Sequence, residues 1–396
     1  QSGCLIKSVT FVAMMKGHKM SQQSKRELVE RIRHRYLQGS RTEKTKILDE
    51  FVATTGLHRK AAIRALRQGY QRGPEPRGRP RVYTGATVAA PVTVWRICGC
   101  IYGKRLAPFL AEVVPILEQH DELNLDGETR ALLLQMSAAT IDRKLHGYRQ
   151  KQGRGASTTK PGTLLKHAIP LRTFTEWDDV KPGFVEIDLV AHCGESMAGT
   201  YLNTLTATDI ATGWTECMLL RQRSQLAVEA AMGQLRQRLP FPLLGIDSDN
   251  DSVFINGAVN RYCVENHVTF TRSRPWKKND QAWVEQKNGA VVRGTIGYRR
   301  YTSSAAATLL EDIHTDLHTY VNFFQPVQKL VEKRRDGAKI YKRYDSAQTP
   351  YQRTMADKSV TALRKARLRQ LYRQLNPAQL RRQIDEKLKR LWQLPE

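Results

Sequence analysis

Apolar residues recur along this chain with two different periods, and the change from one to the other divides it. From Ser24 to Gln38, Leu28, Ile32, Tyr36 and Leu37 form one stripe at helical spacing with Arg and Lys filling the rest. Lys44 to Thr54 repeats the pattern with Ile47, Leu48, Phe51 and Val52. Thr55-Gly56-Leu57 breaks it, and His58 to Gln68 resumes with Ala61, Ala62, Ile63 and Leu66. Helix, Gly-containing turn and basic helix is the layout of a helix-turn-helix over residues 20–70. It would leave Arg59, Lys60, Arg64 and Arg67 exposed for a major groove.

Residues 71–83 are too rich in Pro and Gly for regular structure. Their Gly-Arg-Pro-Arg core suits either a basic linker or an AT-hook-like segment whose Arg79 and Arg81 enter a minor groove. Helical spacing returns over residues 84–149 in Val92 to Ile101, Ala107 to Glu118 and Gly127 to Met136. Ser137 then reads as the cap of a helix carrying exposed Arg143 and Lys144, so this stretch is a second helical DNA-binding candidate. Residues 150–169 read as a linker.

Beyond residue 170 the period shortens. Phe184 to Leu189, Thr200 to Asp209, Trp214 to Leu220, Leu243 to Ser248 and Val268 to Thr271 read as strands. Helices are predicted from Ser224 through Arg238, over Phe254 to Asn266 and over Asp280 to Thr295. The order βββαβαβα is that of an RNase H-like α/β core, a five-stranded mixed sheet with flanking helices, over residues 170–355. After a helix from Thr308 to Phe324, basic loops run through Arg343. Residues 356–396 form a basic helical tail broken at Asn376-Pro377.

Composition adds a partner. Among 396 residues, 64 Lys+Arg stand against 38 Asp+Glu, a net charge of +26 that suits a polyanion. The six Cys form no CxxC pair, which argues against structural zinc and for reduced thiols. No apolar run reaches the roughly 18 residues of a membrane helix. Residues 1–19 precede the first clear helical pattern and are read as a non-native leader.

Three carboxylates carry the candidate chemistry: Asp188 mid-strand, Asp249 at a strand end and Glu285 on the first turn of a helix. Mg²⁺ takes hard oxygen ligands, and two such ions can serve an in-line phosphoryl displacement. Arg272, Arg274, Lys277 and Lys278 precede the Glu285 helix, and Lys287 and Arg293 lie on or beside it. A basic rim of this kind would draw a phosphate backbone toward the acidic centre. Trp276 and Trp283 could stack on an unpaired base or simply fill a core.

Positions 250–284, 35 residues, separate Asp249 from Glu285. With Asp188 the spacing resembles the DDE transposase and retroviral-type integrase superfamily. Arg272 to Asn288, Asp247 to Asn256 and Thr349-Pro-Tyr-Gln-Arg353 look like segments of the integrase core of bacterial insertion-sequence transposases. The resemblance implies that Asp188, Asp249 and Glu285 bind two Mg²⁺, or Mn²⁺ as substitute. It also implies cleavage at element ends by water and transfer of the 3′-hydroxyl into target DNA. The usual Asp-Asn-Gly-Ser-Glu-Phe is here Asp249-Asn-Asp-Ser-Val-Phe254, which makes Asp247 and Asp251 rival ligands. A His/Cys zinc module at the N-terminus, as retroviral integrases use, is missing from the sequence.

The expected partners are double-stranded DNA, as terminal repeats and as target, and further copies of the chain in a homodimer or higher oligomer. A bacterial cytoplasmic, nucleoid-associated location would follow. The alternatives are a catalytically silent DNA-binding derivative of a transposase and an RNase H-like structure-specific nuclease.

Overall fold

The computed structural model describes residues 20–70, 82–149, 181–255, 257–273 and 281–395. The chain divides into two compact units, one ending at Val82 and one beginning at Tyr83. The expected leader and linkers lie outside the described residues for the most part, as do Arg79, Arg81, Arg274, Trp276, Lys277 and Lys278.

The first unit holds three helices, α1 (Gln22–Gln38), α2 (Arg41–Thr55) and α3 (Arg59–Gln68). Ser40 starts α2 through a capping box: its hydroxyl accepts from the Glu43 amide, and the Glu43 carboxylate accepts from the Ser40 amide at 2.7 Å. Gly56 ends α2 in the left-handed region at φ +65°, where side chains other than Gly are strained. Val29, Tyr36, Ile47, Leu48, Phe51, Ala62 and Leu66 close a small core. With Ala62, Ala65 and Leu66 inward, α3 turns Arg59, Lys60, Arg64 and Arg67 to solvent.

The second unit is built on a five-stranded mixed sheet: β1 (Phe184–Ala191), β2 (Asn203–Asp209), β3 (Thr215–Leu220), β4 (Gly245–Ser248) and β5 (Thr269–Arg272). In space the order is β3-β2-β1-β4-β5, antiparallel from β3 to β1 and parallel from β1 to β5. Every residue of β2 is buried, so both faces of the sheet are covered. The strand and helix succession read from the sequence is thus realised as a mixed sheet with flanking helices.

Before the sheet come α4 (Ala86–Ile97), α5 (Leu110–Gln119), α6 (Gly127–Leu134) and α7 (Ala138–Arg149). They do not form a body of their own, as the expected separate domain over 84–149 would. Trp95, Leu110, Leu117 and Leu145 share one hydrophobic core with Ile187 of β1 and Leu388 near the C-terminus.

Between and after the strands lie α8 (Gln225–Arg238), α9 (Gly257–Glu265), α10 (Ala282–Lys287) and α11 (Ser304–Phe324). The helix expected over Asp280 to Thr295 is interrupted, because α10 widens into a π turn at Asn288–Arg293 before a last short turn, Gly294–Ile296. The segment expected to be basic loops forms a hairpin, β6 (Leu330–Asp336) and β7 (Lys339–Tyr344). Helices α12 (Pro350–Ala356), α13 (Ala362–Tyr372) and α14 (Pro377–Gln393) finish the chain, and α14 packs on α11 through Ile384, Leu388 and Leu391.

Candidate active site

Pairing register decides which carboxylates meet. Side chains alternate between faces along a strand, so directly paired residues share a face. Glu186 of β1 pairs with Asp247 of β4 and Thr208 of β2, Asp247 with Thr271, and Thr208 with Thr215. The row Thr271–Asp247–Glu186–Thr208–Thr215 therefore crosses the whole sheet on one face, polar and buried at every position. Asp188 stands two residues further along β1 on that same face. Asp249 lies one step past the last pair, Ile187 with Ser248, and so opposite Asp188.

Helix α10 is fastened over this face at two points. One Glu186 oxygen, Oε2, accepts from the amides of Trp283 and Val284, each at 2.9 Å. A strand carboxylate thereby caps the first turn of α10, where amides have no partners within the helix. One turn on, Asn288 Nδ2 donates to Asp188 Oδ2 at 2.6 Å. Glu285 precedes Asn288 by three positions and so shares its side of the helix.

Electrostatics reports the resulting proximity. Burial pushes the Asp188 carboxyl up to about 7, and the charges of Asp249 and Glu285 add to the rise. Asp249 is pushed up to about 6 by burial, against the pull of Arg223. Glu186 rises to about 8, again mainly by burial, with Asp247 and Glu285 contributing. Asp249, at a strand end, and Glu285, on the helix, thus both act on Asp188.

The rivals are engaged elsewhere. Asp247 is buried and accepts from Thr271 Oγ1 at 2.6 Å. Asp251 pairs with Arg223, and its own amide donates to Asp249 Oδ1 at 3.0 Å. Asp251 is not among the residues at positive φ, so Asp in place of the motif's Gly brings no left-handed strain.

Two of the expected rim cations do not reach solvent. Arg272 is 4% exposed, and its Nη1 donates to Asn250 Oδ1 at 2.9 Å. Lys287 is 5% exposed, and burial pulls its ammonium down to about 7, so it cannot meet a phosphate backbone. Their place on the inner side of a strand and a short helix decides this, whatever their charge. Arg293 is half-buried and donates to the Ala191 carbonyl at 2.6 Å. Lys144 Nζ donates to the Tyr83 carbonyl at 2.8 Å, whereas Arg143 is exposed. The Trp283 ring carries Lys329 Nζ at 5.2 Å from its centroid.

Glu186 and Asn288 were not singled out from sequence. Their signals were there: Glu186 precedes Asp188 by two on a strand, and Asn288 follows Glu285 by three on a helix. All donors of the cluster are hard oxygens, and crowded like charges are what a divalent cation relieves. Among the described residues, no three His, Cys, Asp or Glu side chains are grouped closely enough to hold a metal ion. The residues fit such an ion in donor type and charge.

No family model matches the chain. The uncharacterized protein y4rM of Sinorhizobium fredii (strain NBRC 101917 / NGR234) is 44% identical over 337 residues, covering 85% of this chain and 96% of the relative. Among solved structures, the catalytic core domain of BIV integrase aligns at a TM-score of 0.28 and 18% identity, over 43% of this chain and 91% of that one. The HTLV-2 integrase catalytic core domain in complex with magnesium aligns at 0.28 and 14%, over 37% and 90%.

Proposed function

The chain belongs to the same family as y4rM of Sinorhizobium fredii, and we propose that it is a DNA transposase that cuts element ends and joins their 3′-hydroxyls to target DNA. The observation that carries this reading is the register that sets Asp249 opposite Asp188, with α10 fastened across by Glu186 and Asn288. In this reading Asp188, Asp249 and Glu285 hold divalent ions, Mg²⁺ or Mn²⁺. When bound, a pair of such ions lowers the pKa of an attacking water or hydroxyl and stabilises the leaving oxygen.

The chain's own groups do the positioning. Glu186 fixes the start of α10 and hence the height of Glu285 above the sheet. Asn288 holds one oxygen of Asp188, while Arg223 pairs with the Asp251 carboxylate. Exposed Arg59, Lys60, Arg64 and Arg67 on α3, together with Arg143 on α7, supply cations for the DNA backbone. We take α2, Gly56 and α3 as a helix-turn-helix that reads the element ends, and the working form as a dimer or higher oligomer on DNA. No helix among the described residues is long and apolar enough to cross a membrane.

The test uses duplexes taken from the DNA on either side of the gene, incubated with wild type and Glu285→Gln in Mg²⁺. Cleaved and joined products from wild type alone support the reading, and equal activity in both removes Glu285 from it. The exposed cations of α3 also suit one alternative, a DNA-binding protein without catalysis. That alternative is met if both proteins bind the duplex and neither yields a metal-dependent product.

A further inference from the structure

We infer that the β6–β7 hairpin is a separate duplex-DNA contact, a basic ribbon that grips phosphate backbone beside the carboxylate cluster. The inference rests on the reading above only in taking DNA as the partner. Every residue from Val331 to Tyr344 is exposed, so neither face of the ribbon is buried in the protein. A lone two-stranded hairpin is marginal in water, and this one has no core beneath it.

Its two faces differ. Pairing sets Glu332 opposite Arg343, Arg334 opposite Tyr341 and Asp336 opposite Lys339 on one face. There Arg343 Nε donates to Glu332 at 3.0 Å and Arg334 lies over the Tyr341 ring at 5.5 Å, so that face answers its own charges. The other face carries Lys333, Arg335 and Lys342 with no acidic residue among them, and Lys333 stands directly opposite Lys342. Like charges directly opposed across strands destabilise a pair unless something anionic lies over them. Ile340 and Tyr344, 52% and 48% exposed, share this face and give a ribose or base edge an apolar surface.

The occupant is duplex DNA on grounds of shape and charge. A two-stranded ribbon fits a major groove, and three cations with no acidic partner on their face, Arg335 meeting only the Gly337 carbonyl at 3.3 Å, match phosphates. A second copy of the ribbon is disfavoured, since Lys and Arg along both edges repel a like strand. The root is firmly held while the blade is bare. Lys329 N donates to Asp345 Oδ1 at 2.7 Å, and Arg353 pairs with the same carboxylate at 2.7 Å. Lys329 Nζ donates to the Ala211 carbonyl at 2.7 Å while lying over Trp283, two residues before Glu285. DNA on the ribbon therefore leads toward α10.

The test is binding of the full chain to a random-sequence duplex in EDTA, followed across salt concentrations. The Lys333→Ala/Arg335→Ala/Lys342→Ala protein should lower the slope of log affinity against log salt by roughly 2 to 3, about 0.9 for each phosphate no longer neutralised. Glu332→Ala/Arg343→Ala, which removes a neutral pair from the opposite face, should change the slope by less than about 1. Lys342→Glu guards against a folding artefact: it puts a carboxylate opposite Lys333, so the ribbon gains a complementary pair while DNA binding falls. Slopes unchanged in the triple variant overturn the inference. So does a triple variant that loses only self-association in sedimentation, since a copy of the chain would then be the occupant. Because no metal or chemistry is involved, failure of strand transfer leaves this test standing. A wild type that binds no duplex would overturn both this inference and the proposed function, whereas unchanged slopes in the triple variant overturn this inference alone.

Discussion

Helix α3 and the surroundings of α10 are both dense in Arg and Lys, yet they put these cations to different uses. On α3, Arg59, Lys60, Arg64 and Arg67 are all exposed, because Ala62, Ala65 and Leu66, with Ile63 at the margin, face the small core beneath. Around α10, Lys287 and Arg272 are buried, Arg293 donates to a strand carbonyl, and the acidic groups lie on the sheet. A cation on an amphipathic surface helix can face a polyanion, as Lys60, Arg64 and Arg67 can, although Arg59 is paired with Asp49. One beside a buried sheet is taken up by the fold, and the difference lies in which side of the element faces the core.

The largest effect that sharpens this contrast concerns the carboxylates. Replacing Glu285 by Gln or Asp188 by Asn should reduce strand cleavage on the order of 10³-fold or more, as loss of several kcal/mol of charge stabilisation requires. DNA binding should change little, which a gel-shift assay alongside the cleavage assay would read. Next comes the strut between strand and helix. Glu186→Ala leaves the Trp283 and Val284 amides unpaired, at a cost of about 1–3 kcal/mol, visible as a lower unfolding midpoint and weaker cleavage. Glu186→Gln keeps an acceptor oxygen and should recover most of both.

The buried carboxyls also set a pH dependence. Asp188 and Asp249 stand at about 7 and about 6 in the fold, against about 4 in an unfolded chain. The folded state thus holds more protons than the unfolded one between those values, and stability falls as pH rises from about 4 to about 7. Asp188→Asn should match wild type near pH 4 and unfold at a higher temperature near pH 8, by about 1–2 kcal/mol after allowing for partial exposure. A thermal-unfolding series across pH reads this, and parallel curves for the two proteins would contradict it. On the cation side, Arg64→Ala should lower the salt slope of DNA binding by about 0.9. The smallest effect is at Lys287: Lys287→Met should leave that slope where it was, because the side chain never reaches the phosphate.

How much was legible follows from what each element buries. The five strands and their order could be read because each strand's apolar positions face a core, and the hydrophobic period reports that. Asp188, Asp249 and Glu285 were singled out by residue type and spacing, and the structure adds that Asp249 and Glu285 both act on the Asp188 carboxyl. Glu186 and Asn288 were not, since their roles exist only across separations of about a hundred residues, from 186 to 283 and from 288 to 188. The burial of Lys287 was hidden because type alone places a lysine in water. The hairpin from 330 to 344 escaped for the opposite reason: with neither face buried it has no alternating apolar signal. Only Asp336-Gly337 marked it, with Gly337 at φ +57° in the two-residue turn. The helices over 84–149 were read correctly as helices, but their partner lay in the sheet and the C-terminal helix.

One titration bears most directly on the central claim that Asp188, Asp249 and Glu285 form a single shared site. Mn²⁺ binding to the full chain on duplex DNA, followed by electron paramagnetic resonance, would be compared for wild type, Asp188→Asn, Asp249→Asn and Glu285→Gln. A tightly bound pair of ions in wild type, weakened in all three variants, is the expected result. Equal Mn²⁺ binding in wild type and every variant would contradict it.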